Sequence, residues 1–356
     1  MIRALHVIES LAPGGIETTF LNVLRAWREA PPWATHDVLA FAGGALEPAY
    51  RRTADAVVVA AEQDALTRTV LAPYDLVYFI FDRCAHRLLP LVVSQSRAAV
   101  VYGKGYDMGG MFRLNDDFRW QPDESMMWAA DHVTFTTGAL AAGFAVPAGR
   151  GTVLGKAADV RRFLAIPPAD RSTPNRIVCV ANLHARKRLG DLIEAVARLA
   201  PSIAGLSLRF VGADGGGEAD RLAALAAARG VAAACEIVGR HDDVGQDLAE
   251  SRVFALPSGC EGVPTAMLEA MAAARPVVVT DVGHVTSVVT EGVEGHVVGA
   301  GDVEALAGRL RALLEDPVRA RRMGLRARST ALSHDVVAVA ARLRDVLEGA
   351  CGGRAA

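Results

Sequence analysis

Val253-Phe254-Ala255-Leu256-Pro257-Ser258-Gly259-Cys260-Glu261-Gly262-Val263-Pro264-Thr265-Ala266-Met267-Leu268-Glu269-Ala270-Met271 packs an apolar strand, a small-residue turn and a helix into one short span. Val253–Leu256 is a short apolar run with the length of a buried strand. Ser258, Gly259 and Gly262 make the turn, and Pro264 stands where prolines favour the first helical position. A strand that feeds a helix so directly belongs to a parallel sheet covered by helices.

The same alternation extends outward in both directions. Strands are expected at Ala4–Glu9, Asp37–Phe41, Ala56–Val59, Leu76–Ile80, Ala98–Val101, Val133–Thr136 and Thr152–Leu154. A second set is expected at Arg176–Val180, Ser207–Val211, Cys235–Val238, Val253–Leu256 and Val277–Thr280. Between the sets, Ile166-Pro167-Pro168-Ala169-Asp170-Arg171-Ser172-Thr173-Pro174 carries three prolines and reads as a linker. The expected fold class is therefore α/β, with two doubly wound Rossmann-like domains at residues 1–168 and 172–332. A terminal helix at about 333–349, with Val336, Val339, Ala340, Leu343 and Val346 on one stripe, is expected to pack back on the first domain. Ligands of such sheets bind beyond the carboxyl ends of the strands, here in a cleft between the domains.

Composition narrows the partners. The chain has 356 residues, 51% hydrophobic and 22% charged, which is a globular balance. Its 38 basic and 40 acidic residues give a net charge of −2, so the basic field of a nucleic-acid binder is missing. Five scattered cysteines without a CxxC pair point to thiols in a reducing compartment. The segment Met1–His6 is too short for a signal peptide, and no run approaches the ~20 apolar residues of a spanning helix. A cytoplasmic protein with small-molecule partners, no nucleic acid and at most peripheral membrane contact is expected. Arg309, Arg311, Arg319, Arg321, Arg322, Arg326 and Arg328 form a basic run that suits a solvated surface or an anionic one.

No HExxH, P-loop or GxSxG motif occurs, the histidines lack metal-ligand spacing, and no two aspartates form Asp-x-Asp. No metal and no cofactor are expected, so a bound diphosphate would rely on cationic side chains and helix ends. The backbone at Gly262, Val263, Pro264 and Thr265 opens a helix, whose positive end suits a phosphate. Glu261 in the turn and Glu269 in the helix stand roughly 7–10 Å apart at 1.5 Å rise per residue. That separation fits hydroxyls at both ends of a ligand with phosphates between, as in a nucleotide-sugar. Cys260 is a small residue beside Glu261, and His6 reads as a core histidine on the first strand.

In that setting Glu261 and Glu269 form a Glu-x7-Glu pair, followed by Arg275-Pro276-Val277-Val278-Val279-Thr280-Asp281-Val282-Gly283. This resembles the donor site of family-4 retaining glycosyltransferases of the GT-B fold. Gly14-Gly15-x-Glu17 is similar to that family's N-terminal glycine loop. Lys187 stands where the family's diphosphate lysine lies, and Val211–Gly215 and Val238-Gly239-Arg240 resemble strand ends flanking the nucleotide base. The likeness covers residues 172–332 well and the N-terminal half in outline. It implies a metal-independent, retaining hexosyltransferase acting from a nucleoside-diphosphate sugar onto a hydroxyl of a secondary metabolite or surface glycan. Lys187 and the turn backbone would hold the diphosphate, Glu269 the ribose and Glu261 the donor sugar. Gly15 would approach the phosphate from the other domain. A sugar-nucleotide 2-epimerase, a phosphorylase and a non-catalytic nucleotide-sugar binder stay open on the same likeness.

Departures from the family pattern are specific. Asn182 replaces the arginine that accompanies the lysine, and Arg186 or Arg188 is the candidate substitute. Ala274 replaces the glycine before Arg-Pro-Val, and Ser287 a glutamate. The family's N-domain histidine has no match; Tyr102, Lys104 and Asp107 are the acceptor-side candidates in its place. Asn115, Asp116 and Asp117 extend that polar stretch. The sequence leaves the base, the sugar and the acceptor unnamed.

Overall fold

The computed structural model describes residues 1–60, 74–80, 82–105 and 124–354. The first sheet holds β1 (Ile2–Ser10), β2 (Ala34–Ala42), β3 (Ala56–Val59), β4 (Leu76–Phe79), β5 (Ala99–Lys104), β6 (His132–Phe135) and β7 (Gly151–Val153). Its order is β3-β2-β1-β4-β5-β6-β7. The second sheet holds β8 (Arg176–Val180), β9 (Ser207–Val211), β10 (Cys235–Ile237), β11 (Val253–Leu256), β12 (Val277–Thr280) and β13 (Gly295–Val298). Its order is β10-β9-β8-β11-β12-β13. All pairings are parallel. Every residue of β11 and β12 is buried, which is why these runs are apolar almost throughout and do not alternate.

β8 meets β11 through Ile177↔Val253 and Val178↔Phe254. The strand order reverses at that pair, so the crevice at their carboxyl ends is the place where open parallel sheets take ligands. Each strand except β13 overlaps a run expected from the sequence. β13 is short and opens on Gly295, where a Cβ would meet the Val277 carbonyl oxygen at 1.9 Å. Its second residue, His296, is buried beside the Glu291 carboxylate, Nδ1 to Oε1 2.9 Å. A glycine and a histidine in four residues hide the strand pattern.

The chain forms two compact units, Met1–Asp159 with Asp335–Ala356, and Val160–His334. The proline-rich stretch at 166–174 therefore lies inside the second unit and does not link the two. Buried Arg275 holds it there, Nη2 donating to the Pro167 carbonyl and Nη1 to Ser251 O at 2.9 Å. Arg252 donates to Thr173 O in the same way. Both guanidiniums donate to backbone carbonyls of a stretch whose prolines supply no N–H of their own.

The terminal helix runs Val336–Arg354, starting and ending later than the expected 333–349. Val336, Val339, Ala340, Leu343 and Leu347 join Phe20, Leu24 and Trp27 in the core of the first unit. The Trp27 indole N–H donates to Ala340 O at 2.9 Å, which fixes the register of that packing.

Candidate donor site

The loop after β8 and the loop after β11 meet at the reversal point of the second sheet. The Lys187 ammonium donates to Glu261 Oε1, and the Ser258 hydroxyl donates to the same oxygen at 2.6 Å. Side-chain exposure is 14% for Lys187 and 12% for Glu261, so the pair is shielded yet reachable. Ser258 is buried, and its carbonyl accepts from Thr280 Oγ1 at 2.6 Å. The chain Thr280–Ser258–Glu261–Lys187 thus ties the ends of β11 and β12 to the β8 loop. Ser258 was visible three residues before Glu261, yet sequence reasoning gave it no role.

Close backbone approach completes the turn. Gly283 has φ +58°, and a Cβ there would meet Glu261 O at 1.6 Å. Gly259 N–H donates to Arg186 O at 2.8 Å, stitching the two loops together. The Cys179 thiol on β8 lies near both members of the pair and is pushed up to about 12 by burial. It stays protonated at neutral pH and is no nucleophile.

The helix after the turn spans Thr265–Ala272, with Pro264 at its N-cap in extended conformation. Pro264 therefore precedes the helix and is not its first residue. Gly262, Val263 and Pro264 are buried and Thr265 half-buried, at a helix start whose early amides have no partner within the helix. Glu269 is half-buried on this helix. Cys260 is half-buried.

The three candidate cations of this region differ in what they touch. Asn182 is exposed in the β8 loop. Arg188 has φ 51° and donates Nε to Asp191 Oδ2 at 2.9 Å, so its charge is already engaged. Arg186 is exposed, and its side chain makes no hydrogen bond or ion pair among the described residues. Arg240 follows Gly239 on the far side of β8 and pairs with Asp242 at 3.3 Å.

In the first unit, Gly14 is the N-cap of the helix Gly15–Glu29. A Cβ on Gly14 would meet Glu17 Oε2 at 2.3 Å, so the glycine leaves room for the carboxylate. Burial raises the Glu17 carboxyl and draws the Lys156 ammonium down to about 8; Lys156 Nζ lies 3.5 Å from Gly15 O. Tyr102 is 2% exposed in an apolar cluster with Phe79, Leu88 and Phe135. Its ring therefore packs in that core. Lys104 is also buried, its Nζ 5.5 Å from the Phe144 ring centroid. Asp107, Asn115, Asp116 and Asp117 lie outside the described residues. His6 is fully buried, with Nε2 3.0 Å from His36 Nδ1. Among the described residues no cluster of three His, Cys, Asp or Glu side chains stands ready to hold a metal ion.

Residues 162–330 match the family model "Glycosyl transferases group 1". The chain is 30% identical over 179 residues to glycogen synthase of Mycobacterium tuberculosis, covering 50% of this chain and 43% of that one. It is 31% identical over 166 residues to phosphatidyl-myo-inositol mannosyltransferase of Mycobacterium leprae, covering 46% and 43%. The chain spans under half the length of these curated relatives. Among solved structures it resembles Anabaena HepE in complex with UDP and glucose, with TM-score 0.81 and 20% identity over 98% of this chain and 100% of that one. Two Rossmann-like α/β units with parallel sheets, as in that structure, make this a GT-B fold.

Proposed function

We propose that the protein is a retaining glycosyltransferase that moves a hexose from a nucleoside-diphosphate sugar to a hydroxyl acceptor. The observation that carries the reading is the shielded Lys187–Glu261 pair, steadied by Ser258, at the strand-order reversal of the second sheet. The family match of residues 162–330 and the UDP and glucose bound to HepE support it.

Lys187 turns from Glu261 toward the diphosphate and, with the start of the Thr265–Ala272 helix and Arg186, offsets its charge. Glu269 accepts from the ribose hydroxyls. Glu261, held by Ser258, accepts from the donor sugar and faces the positive charge that grows at the anomeric carbon. The bond from that carbon to the phosphate oxygen breaks, and a bond to the acceptor oxygen forms on the same face. The departing phosphate oxygen takes the acceptor's proton. The protein's share is positioning and charge stabilisation, with no general base of its own.

Binding of a ligand to the folded state alone raises the melting temperature, so thermal shifts against nucleoside diphosphates and their sugars identify the base. Incubation of the best donor with a panel of hydroxyl acceptors should then give an α-linked product from an α-linked donor. The rate in excess EDTA should equal that with added magnesium, since cationic side chains meet the diphosphate. An epimerised sugar, phosphorolysis, or tight binding without turnover would replace the reading, and a rate restored only by a divalent ion would remove its charge argument.

A further inference from the structure

The helix Pro317–Ala331 carries five arginines and no acidic residue, in a chain of net charge −2. Two arginines fasten it to the second unit. Arg328 Nε donates to Ala272 O at 2.8 Å and its Nη2 to Ile166 O, while Arg319 Nη2 lies 3.4 Å from His296 Nε2. Ala320, Met323, Gly324, Ala327 and Ala331 form the buried face. Gly324 lets it sit close, since a Cβ there would meet Ala274 O at 2.1 Å.

The opposite face has a different composition. Val318, Leu325 and Leu332 are 62%, 44% and 46% exposed and recur every seven residues into the turn Leu332–His334. At 3.6 residues per turn they fall within roughly 40° of one another, one apolar line along the helix. Arg322 and Arg326 flank the line on one side, and neither side chain bonds to any described residue. Arg321 flanks the other side and reaches only Pro168 O, at 3.5 Å. Acids beside the helix are engaged: Asp316 caps Val318 N and Arg319 N, Glu315 faces Arg311 at 3.3 Å, and buried Glu294 accepts from Thr330 Oγ1 at 2.9 Å.

We propose that this outward face is a docking face for an anionic lipid surface. Arginine stems lie along apolar surface while their heads reach phosphate, and an apolar centre line enters the interface between headgroups and chains. A soluble polyanion would be met by the arginines alone and gives no use to the three aliphatic side chains. No described helix is long and apolar enough to cross a membrane, so the contact is one that lies on the surface.

Co-sedimentation with vesicles tests this on the full chain. The protein should bind phosphatidylglycerol vesicles, release them at high salt, and bind phosphatidylcholine vesicles weakly. Each arginine near an anionic surface is worth roughly five-fold, so Arg322→Gln with Arg326→Gln should weaken binding about 25-fold. Leu325→Ser leaves the charge unchanged and should also weaken it several-fold. Ser329→Glu, at an exposed position on the same line, should do so too, with circular dichroism melts confirming that each variant folds. Absence of wild-type binding to phosphatidylglycerol, or wild-type binding by the folded variants, overturns the proposal. Full retention by Leu325→Ser with complete displacement by dextran sulfate also overturns it, in favour of a polyanion site read by charge alone.

Discussion

Ala274 stands at φ +54°, in the left-handed region where a side chain costs roughly 1–2 kcal/mol, and it is fully buried. The family pattern has glycine there, and the backbone conformation supplies the reason. Ala274→Gly should therefore raise stability by up to about 1 kcal/mol, the strain relieved less the entropy glycine adds to the unfolded chain. A denaturant midpoint that falls instead would show that the Ala274 methyl group packs well enough to outweigh its strain. At the site, Glu261 and Glu269 should separate by role. Glu269→Gln should weaken binding of a nucleoside diphosphate about ten-fold, the worth of one charge-assisted hydrogen bond. On the proposed roles, Glu261→Gln should leave that affinity nearly intact and lower turnover of the nucleotide-sugar, because the contact assigned to Glu261 is with the sugar. Equal loss of nucleotide by both variants, read by calorimetry, would cancel the division.

In the loop from Ala181 to Leu189, Asn182 stands where the glycosyltransferases it resembles have arginine, so the proposed diphosphate contact falls to its neighbours. Arg188 is turned to Asp191, whereas the Arg186 side chain is exposed and unengaged among the described residues. Arg186→Ala should thus cost several-fold in nucleoside diphosphate affinity and nothing for the parent nucleoside, while Arg188→Ala should change neither. Loss on Arg188→Ala with Arg186 indifferent would reverse the assignment. The sequence named both arginines and had no means to choose, because the choice rests on a left-handed residue and a carboxylate three positions on. Strands were legible for a simpler reason: β8, β11 and β12 are short, mostly buried runs in which apolar residues predominate, and that chemistry records their burial. β13 was not, since Gly295 answers to Val277 on the neighbouring strand and His296 to Glu291 just before β13, contacts that its own four residues do not reveal. Tyr102 shows the same dependence on context. A tyrosine at a strand end reads equally as a ligand contact or as core, and only the surrounding Phe79 and Phe135 decide it.

At the scale of the whole molecule, the core of the first unit holds a buried pair of histidines. His6 on β1 and His36 on β2 share one hydrogen bond, so one ring donates and the other accepts, and the pair holds at neutrality. Phe20, Trp27, Trp33 and Tyr78 surround them, with Trp27 stacked on His36 at 4.9 Å between centroids. Burial lowers His6 well below its ordinary value and lowers His36 to about 4, against an opposing pull from Asp55 and alongside a push from Arg28. The unfolded chain has ordinary histidines near 6.5 and so binds more protons than the folded one below that pH. The stability from keeping these rings neutral is therefore complete above pH 6.5 and drains as pH falls toward 4, by up to about 1.4 kcal/mol per unit for each histidine. Terminal-helix packing should fail with it, because Trp27 links the pair to Ala340. Melting followed between pH 7 and pH 4 should thus fall steeply in the natural protein, and His36→Gln, which removes a titrating ring from the pair, should flatten that fall even if it melts lower at pH 7. Parallel pH profiles for the two proteins would place the acid lability in carboxylates elsewhere and leave the histidine pair as inert packing.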